Sequence, residues 1–276
     1  MSTPSSNSSV SSVVAINGAQ LIYDVSGDGP ALVLIHAGIA DRRMWDDQIP
    51  AFSRNYRVLR YDLRGYGQSD LPPEPYAHHE DLAGLMRHLG IAHAHILGAS
   101  IGGQIAIDFT LAYPAMVRSL IRVASGVGEQ EPSDVLKRAW KEMEIAAEAD
   151  DFAQVIELEL KLWVDGSNRG PESVNSAVRD RVREMNTALV DRIAEQDAAE
   201  EVQLKPPAID RLAEIGVPTL IVVGDQDVPD VLAMADLMKT MIPNARKVVI
   251  PNAAHMVNME RLDDFNRVVL EFLGTH

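Results

Sequence analysis

A single serine stands where a strand should turn into a helix. Ser100 lies between Gly98 and Gly102 in ILGASIGGQIA, directly after an apolar run. Such a turn strains the backbone at the serine, and small neighbours relieve the crowding. The hydroxyl is then exposed at a sheet edge, with the free N–H groups of a helix N-terminus behind it. The pattern predicts a nucleophile for a carbonyl group; a glycine turn with an incidental serine is the alternative.

A serine hydroxyl needs a base at neutral pH, and histidine is the usual one. The chain has eight histidines, and His255 lies in IPNAAHMVNME, between the last predicted strand and the last predicted helix. The carboxyl ends of parallel strands meet at one edge of a sheet, so this position falls near Ser100. His255 is therefore the predicted base.

The remaining parts of such a site are a carboxylate and two N–H donors. The loop after TLIVVG offers Asp225, Asp227 and Asp230 to orient the imidazole, and spacing alone does not choose among them. Ile101 is one predicted N–H donor for the oxyanion, because it follows the serine. The second donor should come from HAGIADRRMW, where Gly38 lets a ligand approach the backbone closely.

The elements that would position these residues follow an alternating pattern. Short apolar runs typical of buried strands begin at residues 31, 56, 94 and 117, with helical spacing at 80–90 and 101–114. This alternation favours a parallel sheet with helices on both faces. Strand signals return at 219–224 and 247–251, and the helical stretch LDDFNRVVLEFL ends the chain.

Between the two strand-bearing parts the pattern is helical throughout. The sequence predicts a core of residues 13–129 and 206–276, interrupted by a helical insertion of 130–205 over the carboxyl edge of the sheet. The insertion holds 18 acidic against 10 basic residues, which mildly disfavours strongly anionic substrates. Its residues Trp140 and Trp163 could line an apolar pocket. Further candidates are Ile39, Met143, Met185, Met256 and Met259, although most of these would serve as packing.

Composition excludes several classes of protein. A net charge of −15 argues against binding to nucleic acid or to an acidic membrane surface. The absence of cysteine excludes disulfides and thiolate metal sites. Residues 1–12 are Ser-rich, which predicts a disordered tail rather than a secretory signal, and no apolar run reaches the roughly 18 residues of a membrane span. A cytoplasmic location is the default expectation, and oligomeric state is not readable.

Four motifs together resemble those of the α/β-hydrolase superfamily, over nearly the whole chain. LVLIHAGIADRRMW is similar to the oxyanion loop, with Ala37 in place of the first glycine and Gly38 at the donor position. YDLRGYGQSD, GASIGG and NAAHMVNMERLDDF are similar to three further family loops, although Leu262 stands where proline is common. The resemblance implies an α/β fold with a mostly parallel, doubly wound sheet and a helical cap at 130–205. It also favours Asp227 as the acid.

The motif spacing is closest to cap-bearing esterases, enol-lactone hydrolases, C–C bond hydrolases and cofactor-free haloperoxidases. A serine at position 100 counts against haloalkane dehalogenases and epoxide hydrolases, which use an aspartate. The expected activity is hydrolysis of a small to medium carboxylic ester through an acyl-enzyme on Ser100, with no metal or organic cofactor. Arg42, Arg43 and Arg64 could bind a substrate carboxylate or be structural.

Three alternatives stay open at this point. The same triad could cleave a lactone or a C–C bond, or it could let peroxide compete with water. A different class is a non-catalytic small-molecule receptor that keeps the scaffold. Negligible turnover on a broad ester panel, with tight ligand binding and cap movement, would favour the receptor.

Overall fold

The computed structural model describes residues 11–128, 131–193 and 199–276. Most of the predicted Ser-rich tail, residues 1–10, lies outside this range, and Ser12 already begins the first strand. Residues 129 and 130, where we predict the core to give way to the insertion, also lie outside it. The predicted boundaries of core and insertion therefore stay predictions.

Eight strands form one sheet, in the order β1-β2-β4-β3-β5-β6-β7-β8. The strands are β1 Ser12–Ile16, β2 Ala19–Ser26, β3 Ala31–Ile35, β4 Arg57–Tyr61, β5 Ala94–Ala99, β6 Val117–Val123, β7 Thr219–Gly224 and β8 Ala245–Ile250. β3 to β8 are parallel, while β1 and β2 add an antiparallel edge. The mostly parallel sheet predicted from the sequence is confirmed. The sequence patterns do not reveal β1, which is short and mostly exposed.

Helices provide the connections between the parallel strands. They are α1 Ile49–Phe52, α2 His78–His88, α3 Ile101–Ala112, α4 Asp134–Glu148, α5 Phe152–Leu160, α6 Ser176–Ile193, α7 Pro229–Met241, α8 Val257–Glu260 and α9 Leu262–Leu273. Strands β5 and β7, neither of which is at an edge of the sheet, are buried along their whole length. Strands covered on both faces read as continuous apolar runs, which is why the sequence shows them clearly. No helix of the described residues is long and apolar enough to cross a membrane.

Helices α4, α5 and α6 lie between β6 and β7, as the helical pattern of this segment predicts. Within the described part of the segment there is no strand, only an isolated bridge from Glu201 to Tyr76. Arginines of α6 attach the segment to the core: Arg181 donates to a carboxylate oxygen of Asp47 at 2.7 Å, and Arg192 donates to the carbonyl oxygen of Ser69 at 2.7 Å. These contacts hold the helices against the loops at the carboxyl edge of the sheet.

The strand order creates a crevice at that edge. β3 lies between β4 and β5, so the chain leaves β3 for one neighbour and later returns on its other side. Loops that leave such a switch point diverge and open a space where α/β proteins bind ligands. The loops after β7 and β8 begin at the same edge of the sheet, because these strands run parallel to β5.

Candidate active site

Ser100 joins β5 to α3 in a strained conformation. Its φ is 53° and its ψ is −120°, a region that residues with side chains rarely adopt. Its backbone N–H donates to the carbonyl oxygen of Val123 at 2.9 Å, and its own carbonyl accepts from the N–H of Gly103 at 2.9 Å. The surrounding structure thus holds the turn in place, and the side chain borders a cavity.

The backbone packs so closely around the serine that only glycine fits at two neighbouring positions. A Cβ atom at Gly98 would collide with the carbonyl oxygen of Gly102, and a Cβ atom at Gly102 would lie 2.5 Å from that of Ile35. The N-terminus of α3 therefore packs directly against the ends of β3 and β5. This close packing is the structural basis of the small-residue pattern in the sequence.

We expect Gly102→Ala to lower the free energy of unfolding by about 2 to 3 kcal/mol, because the added methyl group overpacks a site walled by backbone. Denaturant unfolding followed by circular dichroism measures this change. Gly216→Ala is the control: no heavy atom of the described residues lies within 4 Å of a Cβ atom there. Equal stability of the two variants would contradict the packing.

His255 and Asp227 form a buried pair. The Nδ1 atom of His255 lies 3.1 Å from Oδ1 and 3.0 Å from Oδ2 of Asp227. Because a carboxylate only accepts hydrogen bonds, Nδ1 carries the proton and Nε2 keeps its lone pair. Nε2 is buried and has no hydrogen-bond partner within the described residues. An imidazole held in this way can accept a proton at Nε2.

The three aspartates after β7 have three different partners. Asp225 accepts a hydrogen bond from the N–H of Asn252 at 2.7 Å. Asp230, at the start of α7, accepts from both the N–H and the hydroxyl of Ser133, at 2.8 and 2.7 Å. Of these three carboxylates, Asp227 alone contacts the imidazole of His255. The geometry thus separates residues that spacing leaves equivalent.

Two N–H groups are available beside the serine. A Cβ atom at Gly38 would lie 3.5 Å from Cγ2 of Ile101, so the loop after β3 meets the start of α3. In residues 11–128, 131–193 and 199–276, neither Gly38 nor Ile101 donates its backbone N–H to an acceptor. Both groups are therefore free to stabilise a negative oxygen, as an oxyanion hole requires.

His36 supports the loop that carries Gly38. Its Nε2 atom accepts from the N–H of Leu63 at 3.0 Å, so the proton lies on Nδ1, which donates to the carbonyl oxygen of Ala37 at 2.8 Å. Burial lowers the pKa of His36, which keeps the imidazole in this neutral form. Both ring nitrogens are engaged, so His36 is a structural residue rather than a second base.

One cavity of about 300 Å³ brings Ser100 and His255 together. Its lining residues are Ser100, Ile101, Gln104, Gly126, Val127, Gly128, Pro132, Leu136, Trp140, Trp163, Asp230, Val231 and His255. Trp163 lies in a π-helical turn, Lys161–Asp165, and its ring centroid is 4.5 Å from that of His255. Such turns frequently occur at functional sites because they change the direction of a side chain.

The structure corrects several pocket predictions. Trp140 and Trp163 are among the lining residues of the cavity, whereas Ile39 and Met256 are not, and both of these are core residues. Met185 and Met259 are core residues too, and Met143 lines a separate cavity between α4 and α5. Sequence reasoning missed Gln104 and Leu136 as lining residues. Gln104 lies one helical turn after Ser100, and Leu136 lies one helical turn before Trp140. Residues at this spacing share a helix face, so the spacing could have revealed both.

The three arginines considered for substrate binding are all paired with acidic residues of the protein. Arg42 contacts Asp24 and Asp62, Arg43 contacts Asp41 and Glu184, and Arg64 contacts Asp81. None of them lines the cavity. In the part of the chain that the structure describes, no three His, Asp or Glu side chains cluster closely enough to hold a metal ion.

Comparisons relate the chain to known proteins. A family model for the alpha/beta hydrolase fold matches residues 30–262. The pimeloyl-(acyl-carrier protein) methyl ester esterase of Aeromonas hydrophila is 30% identical in an alignment of 259 residues that covers 90% of this chain and 97% of that esterase. Among solved structures, a hydrolase from Pseudomonas aeruginosa matches with a TM-score of 0.77 at 29% identity, over 97% of this chain and 100% of that one. The enol-lactonase from Burkholderia xenovorans matches with a TM-score of 0.78 at 26% identity, over 95% and 100% of the two chains.

Proposed function

Since the chain belongs to the alpha/beta hydrolase fold family, we propose that it is a serine hydrolase that cleaves a small to medium carboxylic ester through an acyl-enzyme on Ser100. One observation carries the proposal. The strained serine and His255 border one cavity, the buried Asp227 contacts His255 from behind it, and two N–H groups near the serine have no acceptors among the described residues. Nucleophile, base, orienting acid and oxyanion donors thus converge at one edge of the sheet.

The reaction follows from these positions. Ser100 Oγ attacks the ester carbonyl carbon while His255 Nε2 takes the hydroxyl proton, and Asp227 stabilises the resulting imidazolium. The N–H groups of Gly38 and Ile101 bind the oxyanion of the tetrahedral intermediate. The intermediate collapses, the C–O bond breaks, and His255 returns the proton to the leaving alcohol. Water, deprotonated by His255, then attacks the acyl-enzyme and releases the acid and the free serine.

The size of the cavity favours a substrate with a small acyl or alcohol group. Its volume of about 300 Å³ is at the lower end of the range for small-molecule sites. Val127, Leu136 and Trp163 provide apolar lining, and Gln104 and Asp230 add polar groups to it. A methyl ester esterase that matches 90% of the chain at 30% identity favours ester cleavage. Opening of an enol-lactone is the second candidate, because the same attack opens a cyclic ester and a solved enol-lactonase shares the fold.

A covalent probe tests the function. We expect the protein to hydrolyse 4-nitrophenyl butyrate. We also expect an organophosphonate to inhibit this turnover in proportion to the fraction of chains that it labels, with no turnover left at one adduct per chain. Peptide mass spectrometry should locate that adduct on Ser100, since phosphonates react with serines activated by a base. Ser125, at the carboxyl end of the neighbouring strand β6, is an internal comparison and should stay unmodified. Full turnover after complete labelling, or an adduct on Ser125 instead, would refute the assignment.

A further inference from the structure

The charges around the cavity point to the class of ester that it accepts. Resting on the function proposed above, we propose that the site selects esters that are uncharged near the scissile bond and rejects those that carry a carboxylate there. Asp230 lines the cavity together with Ser100 and His255, whereas no lysine or arginine of the described residues does. A substrate carboxylate would therefore face an anion and find no cation.

The carboxylate of Asp230 is held in place and not neutralised. Its two oxygens accept the N–H and the hydroxyl of Ser133, and its residue is only 8% exposed. It lies in the first turn of α7, where the helix dipole favours a negative charge. Within residues 11–128, 131–193 and 199–276 it makes no ion pair with a basic side chain. The charge of Asp230 therefore has no countercharge in an ion pair and contributes to the potential in the cavity.

One cation lies behind the cavity wall. Arg122 on β6 is buried, and it donates to the backbone carbonyl oxygens of Ser125 and Gly126. Burial lowers the pKa of Arg122 to about 9, so it stays charged at neutral pH. The carbonyl groups that it contacts belong to the segment that forms one wall of the cavity, and Arg122 itself is not a lining residue. It positions that wall and does not reach a ligand.

The size of the cavity makes the charge of Asp230 effective. Two unit charges about 8 Å apart, in surroundings with an effective dielectric constant of about 20, repel strongly enough to change kcat/KM by about 30-fold. Loss of hydration adds to this effect, because a carboxylate that leaves water needs a hydrogen-bonding or cationic partner in exchange. An uncharged ester of the same length meets neither obstacle.

Two esters of one acyl chain test the inference. Mono-4-nitrophenyl glutarate carries a free carboxylate, whereas 4-nitrophenyl methyl glutarate has the same chain with that group esterified. Both release nitrophenolate, so one assay at pH 7.5 measures both. For the wild-type protein we expect kcat/KM to be about 30-fold higher for the uncharged ester. This ratio tests the inference whether or not a variant protein folds.

Variants identify the group responsible. In Asp230→Asn the ratio of the two kcat/KM values should fall toward 1, because the amide keeps an acceptor for Ser133 but loses the charge. Asp263→Asn is the matched control: Asp263 is exposed in the first turn of α9, so the net charge changes equally while the cavity does not. The ratio in this control should equal that of the wild type.

The possible outcomes separate the two proposals. Equal kcat/KM for both esters, or a ratio that Asp230→Asn leaves unaltered, overturns the selection by charge while ester hydrolysis stands. A preference for the anionic ester also overturns it, and a loss of that preference in Arg122→Met would then assign carboxylate recognition to Arg122. If the protein hydrolyses none of the three esters, that is, neither glutarate ester nor 4-nitrophenyl butyrate, the proposed function itself is contradicted, and this inference with it.

Discussion

Ser100→Ala is expected to lower kcat for 4-nitrophenyl butyrate by about 10⁴-fold or more, the largest effect of any single change in this chain. Without the hydroxyl no acyl-enzyme forms, and only direct attack by water remains. The oxyanion donors and the cavity persist in this variant, so some rate above the uncatalysed reaction should survive. Stopped assays at high enzyme concentration measure the residual rate.

A matched control separates chemistry from folding. Ser125→Ala removes a hydroxyl at the end of the neighbouring strand, and we expect its kcat to stay within about tenfold of the wild type. Thermal unfolding should show that Ser100→Ala is at least as stable as the wild type. Alanine keeps the Cβ atom, so the substitution removes only the hydroxyl and leaves the turn unchanged. Activity of Ser100→Ala within tenfold of the wild type would refute an acyl-enzyme at this residue.

Asp227→Asn should have the second largest effect, a decrease in kcat of about 10³- to 10⁴-fold. The amide of asparagine can donate to Nδ1 of His255, which moves the imidazole proton to Nε2. A protonated Nε2 cannot accept the proton of Ser100, although the geometry of the pair is preserved. Because Asp227 is 2% exposed, water cannot readily replace the lost carboxylate.

The neighbouring aspartate provides the comparison for this prediction. Asp225→Asn makes the same chemical change two residues away, where the side chain accepts from the N–H of Asn252 and does not contact His255. The remaining amide oxygen can still accept that bond, so we expect kcat to change less than about tenfold. A larger effect of Asp225→Asn than of Asp227→Asn would contradict the assignment of the acid.

The sequence alone indicated the fold class, most of the strands and the turn that carries Ser100. The strands predicted to begin at residues 31 and 94 begin there as β3 and β5, and the strand predicted at 219–224 is β7. Strands buried on both faces require continuous apolar runs, and the turn at Ser100 requires glycines where backbone meets backbone. Both requirements act on neighbouring residues, so they leave a readable local pattern. Helix α7, Pro229–Met241, was not predicted, and Asp230, which the sequence analysis placed in the loop after β7, lies in its first turn.

Tertiary structure decided which side chains meet. Spacing left Asp225, Asp227 and Asp230 equivalent, and packing of the loops after β7 and β8 brought Asp227 alone to His255. The same holds for Ile39 and Met256, which are apolar and near the site in sequence yet are not among the residues that line the cavity. Hydrogen bonds form within about 3 Å, and distances of that order between remote segments depend on how the whole sheet and its helices pack. A local pattern contains no information at that scale. Spacing therefore did not identify the partner of His255, and the contact with Asp227, which the resemblance favours, is seen only in the fold.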